Sequence, residues 1–218
     1  MRLLTPDGWE RRRHGRSWPV LYLLHGGFEP ETYKTWIRES DIEDLPQLRD
    51  VLVVMPEGGQ VGFYSNWRNH GSGGPPAWET FHLDELRPLL EHHYGAGTRR
   101  AVAGLSMGGF GAVSYTARRP GLFRAAASFS GPVHLLHPRM REVWPQMEEA
   151  YGGSLDALWG DRDTQRPVWH ARSTVPRSST ALWAFGRGRE VASAAGCSET
   201  TGVGLRSRSV RRRATGSV

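Results

Sequence analysis

The chain has 218 residues, of which 28 are Lys or Arg and 22 are Asp or Glu, for a formal net charge of +6. This length is enough for one domain with a sizeable core, and 38% apolar residues argue against an unfolded chain. The longest apolar runs are too short to cross a bilayer, so we expect no membrane span. The single cysteine, Cys197, excludes an internal disulfide framework and a cysteine-rich metal site.

The positive charge is concentrated near the carboxyl end of the chain. Residues 1–185 contain 21 basic and 20 acidic side chains and all the aromatic residues, whereas residues 186–218 contain seven Arg and two Glu. A segment of that composition buries too little apolar surface to offset the entropy of ordering. We therefore predict a globular domain over residues 1–185 and a disordered basic tail over 186–218. The run Arg211–Arg213 has no aromatic neighbours for base stacking, so we expect no nucleic-acid partner.

Strand and helix signals alternate along the predicted domain. In chain order they are strand Val20–Leu24, helices Glu31–Arg38 and Ile42–Arg49, strand Val51–Met55, loop Gly58–Pro76, helix Asp84–Tyr94, strand Arg100–Gly104, helix Met107–Arg118, and strands Ala125–Phe129 and Ala181–Phe185. Pro88 fits its helix only if it falls in the first turn. This alternation predicts an α/β fold with a doubly wound, mostly parallel sheet whose functional loops follow the strands.

One motif carries the chemistry of a nucleophile. Gly104-Leu105-Ser106-Met107-Gly108 is a G-x-S-x-G sequence between a predicted strand and a predicted helix. In that context the serine occupies a strained turn that holds its hydroxyl above the sheet, and the two glycines avoid collisions. The amino terminus of the helix directs partial positive charge to the place where an oxyanion would develop. We therefore predict that Ser106 is the nucleophile of an acyl-transfer reaction.

A second glycine-rich turn, His25-Gly26-Gly27, ends the first predicted strand. Acyl transfer needs two N–H donors directed at the tetrahedral oxyanion, and loss of one donor typically costs about 100-fold or more in rate. We predict that the backbone N–H groups of Met107 and Gly27 are these donors.

With both turns in place, the chain resembles the esterase branch of the α/β hydrolases, which includes mycolyltransferases and S-formylglutathione hydrolases. The resemblance covers about Pro6 to Phe185. It is carried by the segments Val20–Gly27, Gly62–Trp67, Trp78–Phe81, Gly104–Gly109, Phe123–Gly131 and Leu158–Gly160, and by Trp169. It implies an α/β-hydrolase fold, here incomplete at the carboxyl terminus. It also implies a serine esterase or acyltransferase that acts on a small-molecule ester or thioester without a cofactor or metal.

The resemblance also implies which residues form the site. Ser106 is the expected nucleophile, with the N–H groups of Gly27 and Met107 as the oxyanion hole. The expected substrate-binding residues are His25, Phe28, Asn66 and Trp67. For Asn66 and Trp67, packing within their own loop is the alternative.

The general base and its acid are not identifiable. They follow the nucleophile in the order acid, then histidine, and in the family they lie beyond the strand that Ala181–Phe185 represents. Here the last histidine is His170, and no aspartate follows Asp163. His170 with Asp156, Asp161 or Asp163 can be drawn as a triad, but this region has a structural use in the family. We therefore favour a structural or surface role for His170.

The loss of pattern after Phe185 suggests a truncated or frameshifted gene, a hypothesis that the nucleotide sequence near codon 186 tests. Glu190 and Glu199 lie where an acid is expected, but in a segment without a core-forming pattern. Because Ser106 needs a base, a catalytically inactive hydrolase-fold remnant or binding module is the alternative function. Residues 1–8 contain no readable signal peptide, which predicts a cytoplasmic protein as written, or a secreted one if the true start lies upstream.

Overall fold

The computed structural model describes residues 1–28, 32–68, 77–173, 182–187 and 190–194, with side chains described through Arg172. The strands are β1 (Arg2–Leu4), β2 (Trp18–Leu24), β3 (Leu52–Met55), β4 (Ala96–Leu105), β5 (Ala125–Phe129), β6 (Leu182–Arg187) and β7 (Glu190–Ala194). The α-helices are α1 (Thr35–Arg38), α2 (Trp78–Thr80), α3 (Arg87–His93), α4 (Met107–Arg118), α5 (Met140–Tyr151), α6 (Asp156–Trp159) and α7 (Arg166–Ser173).

The strands form one sheet in the order β1-β3-β2-β4-β5-β6-β7. β1 and β7 pair antiparallel with their neighbours, and the strands between them are parallel. The chain runs from β2 to β3 on one side of β2 and continues from β4 to β5 on the other side. The carboxyl ends of β2 and β4, paired at Leu24 and Gly104, therefore form the topological switch point where α/β sheets place their ligands.

The core is built on the central strands and on α4. Every residue of β3 is fully buried, because helices and loops cover both faces of the parallel region. Helix α4 is buried from Met107 to Thr116. Its glycines permit this close approach, since a Cβ on Gly109 would lie 2.7 Å from the Ser128 hydroxyl oxygen on β5.

The predicted strands and the elbow helix are confirmed, with α4 at the predicted bounds. The helix predicted over Ile42–Arg49 is wrong, because Pro46 divides that segment into two 3-10 turns, Ile42–Asp44 and Pro46–Leu48. The helix predicted from Glu31 is α-helical only in α1, after the 3-10 turn Thr32–Lys34.

The helical region before β4 begins at Trp78, earlier than predicted. Helix α2 leads into a π-helical segment, Phe81–Leu86, and then into α3. Pro88 lies in the first turn of α3, as predicted, where its missing N–H costs least.

The sheet continues past the predicted domain boundary at Phe185. Strand β7, Glu190–Ala194, lies in the segment predicted to be a disordered tail, and the division of the chain at residue 185 stays a prediction. An edge strand needs only backbone hydrogen bonds from one neighbour, here β6, and therefore shows no apolar pattern in the sequence. The remainder of the predicted tail, from residue 195, lies outside the described residues. Among the described helices, none combines the length and hydropathy needed to cross a membrane.

Candidate active site

Ser106 occupies the strained turn that its motif predicts. It lies between β4 and α4 with φ 52° and ψ −116°, in a region that non-glycine residues rarely adopt. Its N–H donates to the carbonyl oxygen of Phe129 at 2.8 Å, which fixes the turn to β5. The residue is exposed, so its hydroxyl is accessible from solvent.

The glycines on either side of Ser106 are sterically required. A Cβ on Gly104 would lie 2.0 Å from the carbonyl oxygen of Gly108. A Cβ on Gly108 would lie 2.2 Å from the carbonyl oxygen of Leu24, at the end of β2. The collisions expected from the motif are therefore present, and they involve backbone atoms that cannot rotate away.

The turn after β2 lies directly against the nucleophile turn. A Cβ on Gly26 would be 3.7 Å from the Cβ of Ser106, and one on Gly27 would be 3.8 Å from the Cβ of Met107. Within the described residues, the N–H groups of Gly27 and Met107 have no hydrogen-bond acceptor. The structure thus brings together the two predicted donors, while their role as the oxyanion hole stays a prediction.

A third segment, residues 58–64, holds this turn in place. The Gln60 carbonyl accepts the N–H of Phe28 at 2.9 Å, and the thioether sulfur of Met107 accepts the N–H of Phe63 at 3.3 Å. The sequence does not reveal the contacts of Gln60 and Phe63, because they are made by a backbone carbonyl and a backbone N–H, which any residue type can supply. The dense glycines at 58, 59 and 62 were the available hint of a tightly packed loop.

Replacing Gly27 by alanine tests the positioning of this turn. The new Cβ would lie 2.7 Å from the Gln60 carbonyl oxygen, so the turn must shift. A shift of about 1 Å at a catalytic group can cost on the order of 100-fold in rate, and we expect kcat to fall by that order with KM little changed. Steady-state kinetics on a soluble ester measures both constants. A variant with unchanged kcat would show that the Gly27 N–H does not act on the reacting atoms.

The His25 side chain packs beneath the glycine turn, and the predicted contact of this residue with substrate stays a prediction. The residue is fully buried. The N–H of Gly58 donates to its Nε2 at 2.8 Å, and its Nδ1 lies within hydrogen-bond distance of the Gly26 carbonyl oxygen, at 2.5 Å. The Tyr64 hydroxyl donates to the His25 carbonyl at 3.0 Å. The imidazole therefore supports the glycine turn from below.

Three further predicted binding residues have different outcomes. Trp67 is buried, and its Nε1–H donates to the Gly62 carbonyl at 3.3 Å, which favours the alternative of loop packing, while its contact with substrate stays a prediction. Asn66 is half-buried and bonds Thr80 twice, through its Nδ2 at 2.8 Å and its Oδ1 at 3.0 Å. Phe28, with φ 68°, is half-buried beside the turn. Substrate contacts by Asn66 and Phe28 stay predictions.

Two of the three acids that could pair with His170 have other partners. The Asp156 carboxylate lies 3.4 Å from Arg162. The Asp161 carboxylate accepts the N–H groups of Thr164 and Asp163, and the bond from Thr164 in particular lowers the pKa of that carboxyl. His170 is exposed on α7. The side chain of Glu190 and all of Glu199 lie outside the described residues, so neither can be placed.

A buried polar network lies beneath the site and centres on His82. The Tyr115 hydroxyl donates to His82 Nδ1 at 2.7 Å, and Nε2–H donates to the Glu57 carbonyl at 2.7 Å. Burial lowers the pKa of His82 from 6.5 to about 4, outweighing the hydrogen bond to Glu57, which raises it. In the part of the chain that the structure describes, no group of three or more His, Cys, Asp or Glu could hold a metal ion.

The lowered pKa of His82 predicts acid sensitivity. Between the pKa of the folded state and that of the unfolded state, the unfolded chain binds more protons, so stability falls as the pH falls. From pH 7 to pH 5 this group should remove about 2 kcal/mol from the free energy of unfolding. Denaturant titrations at both pH values on the native chain and His82→Gln measure the difference. An equal pH dependence in the two proteins would contradict the assignment.

The sequence of this chain matches a known protein family. A family profile described as "Putative esterase" matches residues 1–202. The chain belongs to this esterase family. The match confirms the resemblance and extends beyond residue 185, where the sequence pattern was expected to end.

The relatives of this esterase-family chain include hydrolases and acyltransferases. Esterase Rv1288 of Mycobacterium tuberculosis is 44% identical over 136 residues, 61% of this chain and 29% of that protein. The diacylglycerol acyltransferase/mycolyltransferase Ag85A of Mycobacterium gordonae is 32% identical over 163 residues, 71% of this chain and 47% of that protein. The chain therefore spans less than half the length of either relative.

Solved structures agree with the fold. MPT51 of Mycobacterium tuberculosis superposes with a TM-score of 0.62 at 26% identity, over 71% of this chain and 57% of that one. An S-formylglutathione hydrolase from Agrobacterium tumefaciens superposes with a TM-score of 0.55 at 15% identity, over 85% of this chain and 79% of that one. The predicted α/β-hydrolase fold is confirmed.

Proposed function

We propose that this chain is a serine esterase or acyltransferase in which Ser106 forms an acyl-enzyme. Its Oγ attacks the carbonyl carbon of a small-molecule ester or thioester while a general base takes the Oγ proton, and the N–H groups of Gly27 and Met107 hold the oxyanion. The base then returns the proton to the leaving alcohol or thiol. The tetrahedral intermediate collapses with loss of the alcohol or thiol, and water or an acceptor alcohol then takes the acyl group. This chemistry needs no cofactor.

The observation that carries the proposal is the geometry of the two turns. An exposed serine in a strained conformation lies beside the Gly26-Gly27 turn at the switch point of the sheet, and the N–H groups of Gly27 and Met107 have no acceptor among the described residues. A fold retains such strain where the surrounding structure over-determines it, and functional sites are the usual place. Relatives named as an esterase and as acyltransferases support the same reaction class.

A second candidate function has an observation in its favour. Among the described residues, Asp156 lies beside Arg162 and Asp161 accepts backbone N–H groups, so neither is assigned as the acid that would orient a His170 base. Without a base, an oxyanion hole and binding alone sustain about 1,000-fold to 10,000-fold over the uncatalysed rate. The alternative is therefore an inactive hydrolase-fold remnant that binds rather than turns over its ligand.

Hydrolysis of a p-nitrophenyl ester separates the two functions. For an enzyme, we expect Ser106→Ala to lower kcat/KM by at least about 1,000-fold, because the covalent step is lost. Ser40→Ala, at an exposed serine on the surface, is a matched control that should leave the rate unchanged. A rate that Ser106→Ala does not change would favour the remnant.

A further inference from the structure

A basic cleft lies at the end of the sheet opposite to Ser106. It has a volume of about 580 Å³ and lies between residues 10–17 and the end of α3. Its basic lining consists of Arg12, Arg13, His14, Arg16, His92 and His93. β2 begins beside this cleft and ends beside the glycine turn, and its seven residues span about 20 Å. The cleft is therefore separate from the candidate active site.

The walls of the basic cleft are fixed to each other. The indole N–H of Trp9 donates to the Tyr94 carbonyl at 2.8 Å, and the N–H of Trp18 donates to the Gly95 carbonyl at 2.9 Å. The Arg12 guanidinium lies 4.2 Å from the centre of the Trp9 ring and donates to the carbonyl of His93 at 2.8 Å. These contacts hold the amino-terminal segment against the end of α3. The shape of the cleft is therefore set by contacts within the protein.

Two guanidinium groups in this cleft have unused donors. Arg13 and Arg16 are exposed, and neither has a side-chain hydrogen bond or ion pair within the described residues. Arg16 stacks 4.9 Å from the centre of the Trp18 ring, which limits its freedom but leaves its N–H groups available.

The acidic side chains at the cleft do not cancel this charge. Glu91 is occupied by Arg87 and by Arg100, both outside the lining. Glu10 is the other acidic member of the lining, against three arginines. The local excess is therefore positive, although residues 1–185 as a whole are nearly neutral.

We propose that the basic cleft binds the phosphate group of a phosphate ester. Guanidinium groups match phosphate oxygens with paired, charge-assisted hydrogen bonds, and a phosphate offers more acceptors than a carboxylate to donors on several sides. A soluble phosphate monoester and a phospholipid headgroup share this chemistry. Arg13 and Arg16 supply the charge and the geometry, and the Trp9 and Trp18 rings hold the walls of the cleft.

Calorimetric titration of the full chain with glycerol 3-phosphate tests the soluble source. Co-sedimentation with phosphatidylcholine vesicles, with and without phosphatidic acid, tests the lipid source. Saturable binding in either arm supports the site, and the arm that responds identifies the source. Absence of saturable binding in both arms overturns the proposal.

Matched variants assign any binding to the cleft. Arg13→Gln with Arg16→Gln should weaken binding at least tenfold, whereas Arg49→Gln with Arg139→Gln removes the same charge at exposed positions elsewhere and should not. Arg13→Lys with Arg16→Lys keeps the charge but loses the guanidinium geometry, so an intermediate loss is expected. Thermal unfolding verifies that each variant is folded. Equal losses in the cleft and control variants would contradict the proposal.

Discussion

Replacing Glu79 by alanine is expected to lower the free energy of unfolding by about 3 kcal/mol. The Glu79 carboxylate is 4% exposed and lies 2.8 Å from Arg118, 3.5 Å from Arg172 and 3.9 Å from Arg119. It joins α2 to the end of α4 and to α7. Removal would leave the Arg172 guanidinium, itself 17% exposed, without its counter-charge.

The size of this effect depends on which arginines can reach water. Arg118 and Arg119 are both 42% exposed and can be solvated after the substitution, which places the loss at the low end of the range for broken buried pairs. Urea unfolding measures the change, with Glu142→Ala as a control at an exposed glutamate on α5. A loss below about 1 kcal/mol would show that the carboxylate does not hold the three elements together.

Replacing Gly108 by alanine is expected to damage the site severely. The new Cβ would lie 2.2 Å from the Leu24 carbonyl oxygen and 2.6 Å from that of His25. Both are backbone atoms at the end of β2, so α4 and the glycine turn must separate. We expect a rate loss of about 100-fold or more, with about 1–3 kcal/mol lost from overpacking.

Gly153→Ala is the matched control for this substitution. Its Cβ would meet the Tyr151 ring at 3.4 Å and no closer atom. Ester hydrolysis and thermal unfolding of both variants give the comparison. If Gly108→Ala retained full activity, the contact between the two turns would not be needed for the reaction.

The strongest sequence predictions rest on local rules. The bounds of α4 and the conformation of Ser106 follow from the strand, the motif and the glycines around it, each with a steric reason. Strands β3 and β5 were readable because apolar runs that end in turns are typical of buried parallel strands.

Features that the sequence does not reveal have a different physical origin. Burial of His25 and Trp67 depends on the direction in which a loop side chain points, which the residue type does not report. Strand β7 depends on backbone pairing with β6 rather than on an apolar pattern. The basic cleft was not evident from the sequence, because residues 1–185 are nearly neutral as a whole and Arg13 and Arg16 gather with His92 only after the chain folds.

The hypothesis of a frameshift stays open to the nucleotide sequence. The family profile matches the chain up to residue 202, so the similarity to the esterase family continues past Phe185. Strand β7 lies within this matched region. If no alternative frame near codon 186 encodes a continuation with an acid and a later histidine, the hypothesis fails.

Covalent trapping of Ser106 tests whether this serine is an activated nucleophile. A fluorophosphonate reacts with an activated serine by forming an Oγ–phosphorus bond as fluoride leaves, and the adduct is stable enough for peptide mass mapping. We expect one adduct on the peptide that contains Ser106, and none in Ser106→Ala. An unmodified Ser106 in the folded chain, under conditions that label a control serine hydrolase completely, would contradict it.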